Sequence, residues 1–136
     1  ISAPAQALEY RSVSDPAILF DAPDVKANKR YIIARGTPVE VVLTQDSWTK
    51  VRGGDGSMAW IESRLLSTTR TVMVRAAKAE VRAEANDNSA LVFTADRNVL
   101  LDLLETGPGY AYPGWAKVKH RDGEIGYVKA AQVWGL

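Results

Sequence analysis

The chain has 136 residues, with 17 basic and 16 acidic side chains, and it contains no cysteine. Hydrophobic residues make up 46% and charged residues 24%, a composition normal for a folded globular protein, so neither half is expected to be disordered. The net charge of +1 disfavours duplex nucleic acid and anionic membranes as partners, and the lack of cysteine excludes disulfides and thiolate metal sites.

Segments that carry a chain into or across a membrane have recognisable compositions. The longest aliphatic run, Val99–Leu104, is too short to span a bilayer and is interrupted by Asp102, so no membrane insertion is expected. The N-terminal residues Ile1–Ala7 lack an initiator methionine and end in small residues at alternate positions, as a secretory signal peptide does before its cleavage site. Two interpretations of this segment are open: the end of a signal peptide, or a plain small-residue tail.

After this tail, short apolar runs separated by turn residues predict β-strands. Weak alternation over Glu9–Ser14 and the apolar run Ile18–Phe20 predict a first strand that enters a long loop over residues 24–30. The strands predicted next are Tyr31–Ile33, Val39–Leu43, Trp48–Arg52 and Met58–Ile61, with Thr44–Ser47 as a polar loop between the second and third of these.

Three short segments complete this first part of the chain. Gly53–Gly56 supplies residues that accept positive φ and predicts a tight hairpin turn. Glu62–Leu66 is too short for a stable helix and predicts a 3₁₀ turn leading into a last short strand. The linker Ser67–Thr71 is also short, and the apolar Val72–Val74 follows at once. We therefore expect two units docked side by side.

The chain repeats itself. Most of Trp48–Leu66 recurs over Trp115–Val133 at a shift of 67 residues (48 to 115), including the hairpin pair Asp55-Gly56, which falls on Asp122-Gly123. A match of this length predicts two copies of one structural unit.

The earlier part of each copy aligns at a different shift. Leu19 falls on Val81 at a shift of 62 residues, and Val39 falls on Leu101. The change from 62 to 67 places five inserted residues in the hairpin loop Thr106–Gly114, where an insertion costs little entropy. The same alignment predicts a strand, and not a helix, at Val99–Leu104.

The layout of these elements resembles small SH3-like barrels, and specifically the tandem bacterial SH3 domains of exported proteobacterial proteins. The resemblance implies an all-β fold with two barrels packed together, over residues 13–67 and 72–136, after a tail of residues 1–12. It is weaker in the second copy, where Asn98 replaces Gly36 and Leu100 replaces Pro38. The residues that carry it in the first copy are Arg35–Val42, Trp48–Val51, Asp55-Gly56, Trp60-Ile61 and Leu65-Leu66.

The same resemblance implies a function class. It implies a non-enzymatic binding module without a cofactor, periplasmic or secreted, with a protein or a peptidoglycan peptide as partner. The alternative is a structural or regulatory subunit docked on a dedicated protein partner. Neither reading predicts an oligomeric state.

The resemblance also suggests ligand-binding residues. Trp48 and Trp115 resemble the tryptophan that lines the polyproline groove of signalling SH3 domains, although capping one end of a small barrel is an equal alternative. Leu65 and Gln132 stand where those domains place a tyrosine, so polyproline recognition is not expected. For Trp60 and Tyr127, on the strand after the hairpin, core packing is expected.

A second candidate surface is the inserted loop. Tyr110 and Tyr112 lie between prolines and glycines in a segment that the first copy lacks, and loops on a rigid scaffold often carry binding residues. We therefore predict that Tyr110 and Tyr112 contact the ligand in addition to Trp48 and Trp115. The alternative is that their rings pack against the barrel or fill the cleft between the copies.

Catalytic and metal-binding patterns are not recognisable in the sequence. His120 is the only histidine, and its place in a hairpin turn beside Arg121 predicts a solvated side chain and not a metal ligand. The carboxylates fall mainly at turn or surface positions, and the glycines at 53–56 are followed by no lysine or helix of a nucleotide-binding loop. No catalytic residue and no metal site are predicted.

Overall fold

The computed structural model describes residues 9–104 and 114–136, and they form two seven-stranded sheets. The first unit contains β1 (Tyr10–Val13), β2 (Ala17–Phe20), β3 (Lys29–Ile33), β4 (Pro38–Gln45), β5 (Trp48–Arg52), β6 (Met58–Glu62) and β7 (Leu66–Ser67). The second unit contains β8 (Thr71–Val74), β9 (Lys78–Arg82), β10 (Leu91–Asp96), β11 (Leu100–Leu103), β12 (Trp115–Lys119), β13 (Ile125–Lys129) and β14 (Val133–Trp134). A 3₁₀ turn precedes the last strand of each unit, at Ser63–Leu65 and Ala130–Gln132.

Both sheets have the same strand order, which confirms the all-β fold class and the repeat. The order is β3-β2-β6-β5-β4-β1-β7 in the first unit and β10-β9-β13-β12-β11-β8-β14 in the second. Among the described residues β3 and β7 each pair on one side only, so the ladder is an open sheet and not a closed ring. No helix in residues 9–104 and 114–136 is long and apolar enough to cross a membrane.

The repeat extends to strand register. Leu19 lies opposite Tyr31 in the β2–β3 pair, and Val81 lies opposite Phe93 in the β9–β10 pair, as the shift of 62 residues requires. The segment Val99–Leu104 contains β11, so the choice of strand over helix is confirmed.

The replacement of Gly36 by Asn98 leaves the backbone turn unchanged. Both residues have positive φ, 83° for Gly36 and 75° for Asn98. Each donates its amide to the first strand of its own unit, at 2.7 Å to Val13 O and 2.8 Å to Val74 O. Asparagine is one of the few non-glycine residues that adopt this conformation readily, which explains why the turn is conserved in geometry but not in sequence.

Three predicted boundaries differ from the structure. Glu9–Ser14 and Ile18–Phe20 belong to two strands, because Ser14 turns away and donates its amide and hydroxyl to Leu65 O. β4 continues to Gln45, which shortens the predicted loop to a turn in which Asp46 has a φ of 54°. β1 begins at Tyr10, inside the predicted tail of residues 1–12, since Tyr10 pairs with Glu40. The division into 13–67 and 72–136 stays a prediction.

Each unit has its own hydrophobic core. Leu19, Val39, Val51 and Ile61 are among the buried residues of the first core, and no more than 2% of the surface of any of them is exposed. The corresponding positions build the second core, where Val81, Leu101, Val118 and Val128 are equally buried. Strand alternation produces this pattern, because residues two apart point to the same face of a sheet.

Aromatic packing joins the two units. The Tyr10 ring meets the Trp134 ring edge to face, with centroids 5.4 Å apart. The Arg70 guanidinium lies 5.5 Å from the Tyr10 ring centroid and donates to Gly135 O at 2.7 Å. These contacts connect β1, the linker and the C-terminal strand, so the units are docked as the short linker predicts.

Close backbone approach completes the junction. The Thr71 hydroxyl donates to Gly36 O at 2.7 Å, and Thr71 is 6% exposed. Gly135 lies so close to the first unit that a Cβ atom placed on it would be 3.1 Å from Pro38 Cβ. A side chain at this point would require its neighbours to shift by a few tenths of an ångström, and the φ of 115° at Gly135 further disfavours any residue other than glycine.

Candidate binding surfaces

Trp48 is half-buried, and a neighbouring ring covers one of its edges. Phe20 packs against it at a centroid distance of 5.4 Å and an interplanar angle of 89°. Phe20 itself is 7% exposed, so this pair belongs to the packing of the first unit. An edge-to-face pair of this kind contributes about 0.5–1.5 kcal/mol beyond its buried area.

The second unit carries an arginine where the first has Phe20. Phe20 pairs with Trp60 across the sheet, and Arg82 pairs with Tyr127 at the equivalent place. Trp115 is half-buried like Trp48, but its neighbour at this position is therefore a cation and not an aromatic ring. The two tryptophans occupy equivalent positions with different chemistry around them.

Charged side chains surround Trp115. Lys129 Nζ lies 5.9 Å from the indole centroid and 3.0 Å from a carboxylate oxygen of Asp87. Arg82 pairs with Glu80, which lies two residues earlier in β9. These residues line a depression of about 30 Å³ together with Gln132 of the 3₁₀ turn. We call it the Trp115 depression.

The 3₁₀ turns add a second difference between the surroundings of Trp48 and Trp115. Leu65 packs against the core of the first unit, whereas Gln132 lines the Trp115 depression. Trp60 and Tyr127, for which core packing was predicted, are half-buried. Tyr110 and Tyr112 lie outside the described residues. The ligand-binding roles of Trp48, Trp115, Tyr110 and Tyr112 stay predictions.

A larger concave surface lies between the units, and it is not evident from the sequence. We call it the inter-unit cleft; it encloses about 760 Å³. Its lining comes from the first unit (Arg35 and Gly36) and from the second (Thr71, Val99, Leu100, Asp102 and Lys119–Arg121). The basic run Lys119–Arg121 is visible in the sequence, but its proximity to Arg35 depends on how the units dock.

His120 lies at the edge of this cleft and is less solvated than the sequence predicts. Its side chain is 23% exposed, and its ring lies 5.5 Å from that of Phe93. Its Nδ1 accepts the Asp122 amide hydrogen at 3.2 Å and lies 3.1 Å from the Asp122 carboxylate. Ligand-capable atoms of His120, Asp122 and Glu124 lie within 4.8 Å of one another. The hairpin turn accounts for this proximity, and the two carboxylates are exposed.

Tyr10 and Asp55 have shifted pKa values, and neither lines the Trp115 depression or the inter-unit cleft. Burial raises the pKa of Tyr10 above its ordinary value, and the nearby Glu40 carboxylate acts in the same direction. Hydrogen bonds from the Ser57 hydroxyl and amide lower the pKa of Asp55. Both shifts have structural causes, at the junction and in a hairpin turn.

Several solved structures resemble the chain. NlpC2 from Trichomonas vaginalis aligns at 15% identity and a TM-score of 0.42, covering 96% of this chain and 49% of that protein. NlpC1 from the same organism aligns at 16% identity and a TM-score of 0.42, covering 98% and 48%. An NlpC/P60 family protein from Bacillus cereus aligns at 14% identity and a TM-score of 0.41, covering 92% and 55%. The chain thus spans about half the length of each of these proteins.

Comparison with protein families is more specific. No curated protein matches the chain. The family model described as the bacterial SH3 domain matches it twice, over residues 13–68 and 75–135. These two matches fall on the two seven-stranded sheets and cover most of the chain. The chain therefore belongs to the bacterial SH3 domain family and contains two copies of the domain.

Proposed function

We propose that the chain is a non-catalytic binding module of the bacterial cell envelope, in the periplasm or outside the cell. Its second unit recognises a peptide of the cell wall or of a protein partner at the Trp115 depression. Membership of the bacterial SH3 family supports a role in binding. One observation carries the choice of surface. The Phe20 ring packs against Trp48, whereas Trp115 has Arg82 at the equivalent place and lines a depression.

The chemistry of the Trp115 depression favours a ligand with both charges. A half-exposed indole offers apolar area at a small entropic cost. The ion pair between Lys129 and Asp87 involves side chains that are 47% and 66% exposed, and such pairs contribute only about 0–1 kcal/mol. A ligand ammonium and carboxylate can therefore replace each partner at little cost. A short peptide carrying both groups matches the charges at this surface.

The experiment compares Trp115→Ala with Trp48→Ala, which makes the same change at the equivalent position of the other unit. Binding is measured by co-sedimentation with purified bacterial peptidoglycan, and stability is measured by thermal unfolding. We expect Trp115→Ala to weaken binding about tenfold, the usual loss for an aromatic anchor. Trp48→Ala loses its contact with Phe20, so it should lower the melting temperature but leave the affinity of the folded protein unchanged.

Other outcomes contradict the proposal. Equal losses of affinity in both variants would remove the assignment to the second unit. Unchanged co-sedimentation of Trp115→Ala with a lowered melting temperature would make the indole a packing residue.

A further inference from the structure

We infer that the inter-unit cleft is a second binding site, for a peptide segment that carries carboxylates. The site is separate from the Trp115 depression. Trp115 and Lys119 stand at opposite ends of β12, and four residue steps along a strand span about 13 Å. A ligand in the cleft therefore need not touch the indole.

The first argument is charge. Arg35, Lys119 and Arg121 contribute three positive charges to the lining and Asp102 one negative charge, an excess of two in a chain whose net charge is +1. Asp102 lies opposite Lys119 in the β11–β12 pair, so its carboxylate offsets the lysine most directly. The two arginines of the lining come one from each unit. The concave shape strengthens their combined field.

The second argument is that these cations lack partners. Within residues 9–104 and 114–136, Arg35, Lys119 and Arg121 make no side-chain hydrogen bond and no ion pair. Several arginines elsewhere lie against carboxylates: Arg11, Arg30, Arg52, Arg64 and Arg82. The guanidinium groups in the cleft are therefore available to bind an external carboxylate with paired N–H donors.

The third argument is shape. A volume of about 760 Å³ is far larger than one small ion requires and lies within the usual range for organic ligands. Val99 and Leu100 add apolar surface to the lining, which suits the methylene groups of peptide side chains. The cleft is also fixed in place, because Thr71 donates to Gly36 O across the junction at 2.7 Å.

The lining also distinguishes a peptide from nucleic acid. Proteins that bind single strands stack the bases on aromatic rings. Among the described residues that line the cleft there is no tryptophan, tyrosine or phenylalanine, and the one aromatic side chain is the imidazole of His120. A carboxylate-bearing peptide needs the cations and the apolar surface but no stacking platform.

The test uses two ligands of this chemistry. A synthetic peptide of alternating glutamate and glycine with blocked termini represents an acidic protein segment, and muropeptides released from peptidoglycan represent a wall source. The same peptide with glutamine in place of glutamate is the ligand control. Binding is followed by amide chemical shifts in NMR titrations at low salt. A shift of the Gly36, Thr71 and Leu100 amides with either ligand supports the site, and the ligand that causes it identifies the source of the peptide.

The protein variants keep the charge change constant. Arg35→Gln/Arg121→Gln removes two cations from the cleft. The control, Arg75→Gln/Arg97→Gln, removes two exposed arginines that lie outside the lining, and Arg97 occupies the turn position in the second unit that Arg35 occupies in the first. We expect the first pair to weaken binding about tenfold and the control pair to weaken it less than about twofold. Trp115→Ala should leave this binding unchanged, which separates the result from the fate of the proposed function.

Three results would overturn the inference. Equal weakening in both double variants would mean that only the overall charge matters. Equal shifts with the glutamine peptide would remove the role of carboxylates. Shifts of these amides with inorganic phosphate but with neither peptide ligand would make the cleft a small-anion site.

Discussion

At the scale of single residues, the hairpin turn of the first unit is held by a short chain of hydrogen bonds. Asp55 Oδ1 accepts the Ser57 hydroxyl at 2.7 Å and the Ser57 amide at 2.9 Å. The Ser57 hydroxyl also lies 3.1 Å from the Tyr31 hydroxyl. Hydrogen bonds to an ionised carboxylate favour the charged form, so the pKa of Asp55 falls below its ordinary value of 3.8.

This geometry predicts how the pKa of Asp55 responds when one of these hydrogen bonds is removed. Because its pKa is lower in the folded state, these bonds stabilise the fold above pH 3.8, and that contribution is lost as the pH falls through the folded pKa. Ser57→Ala removes the hydroxyl bond and keeps the amide bond, so the pKa should rise part of the way to its ordinary value. An NMR titration of the Asp55 carboxyl measures this.

Tyr31→Phe is the matched control for Ser57→Ala. It removes only the phenolic hydroxyl that contacts Ser57 and leaves the ring in place, so the carboxyl of Asp55 should keep its low pKa. A pKa of Asp55 that is the same in Ser57→Ala and in the unchanged protein would show that the serine hydroxyl does not cause the shift.

At the scale of elements, β6 and β13 differ in how tightly they pack at one buried position. Ala59 is buried in β6, and Gly126 is buried in β13. A Cβ atom on Gly126 would be 2.6 Å from Val81 Cγ1 and 2.7 Å from the Arg82 carbonyl oxygen. Distances this short require β9 and β13 to separate, so the second unit admits only glycine here.

We therefore expect Gly126→Ala to lower the free energy of unfolding by about 1–3 kcal/mol through overpacking. The reciprocal control Ala59→Gly removes a methyl group from the same position of the first unit. It should cost about 1 kcal/mol, from backbone entropy and lost packing. Urea denaturation measures both changes. A neutral or stabilising Gly126→Ala would show that β9 relaxes without cost.

At the scale of the whole molecule, the junction is small but well packed. Tyr10 is 8% exposed, and it contacts both Trp134 and the Arg70 guanidinium. Each unit has a separate core, so the junction alone couples their unfolding. Units of about 60 residues are only marginally stable by themselves, and coupling through this contact makes a single cooperative transition the expected behaviour.

Tyr10→Ala tests the coupling. We expect it to lower the free energy of unfolding by about 3 kcal/mol and to broaden or split the transition, because the edge-to-face contact with Trp134 is lost. Tyr10→Phe keeps the ring and should behave like the unchanged protein. Differential scanning calorimetry makes the measurement. Two well-separated transitions in the unchanged protein would show that the units unfold independently.

The sequence by itself determined the two copies, the paired Asp-Gly turns and most of the strands, although it joined β1 and β2 into one strand and ended β4 before Gln45. These features depend on local chemistry: the alternation of the buried Thr49 and Val51 with less buried neighbours, the positive φ of Gly56, and the paired Asp-Gly turns. Aligning the copies also predicts that equivalent strands share one register, and the structure shows it: Leu19 lies opposite Tyr31, and Val81 lies opposite Phe93.

Only the tertiary structure decided how the candidate surfaces differ. In an alignment of the two copies, Arg82 simply replaces Phe20. In the structure, the Phe20 ring packs against Trp48, whereas Arg82 places a positive charge near Trp115. The inter-unit cleft is lined by Arg35 of the first unit and Arg121 of the second, which are 86 residues apart in the chain (121 − 35). Sequence patterns report which face of an element is buried, but contacts between units depend on side-chain shapes that meet only after both sheets have folded.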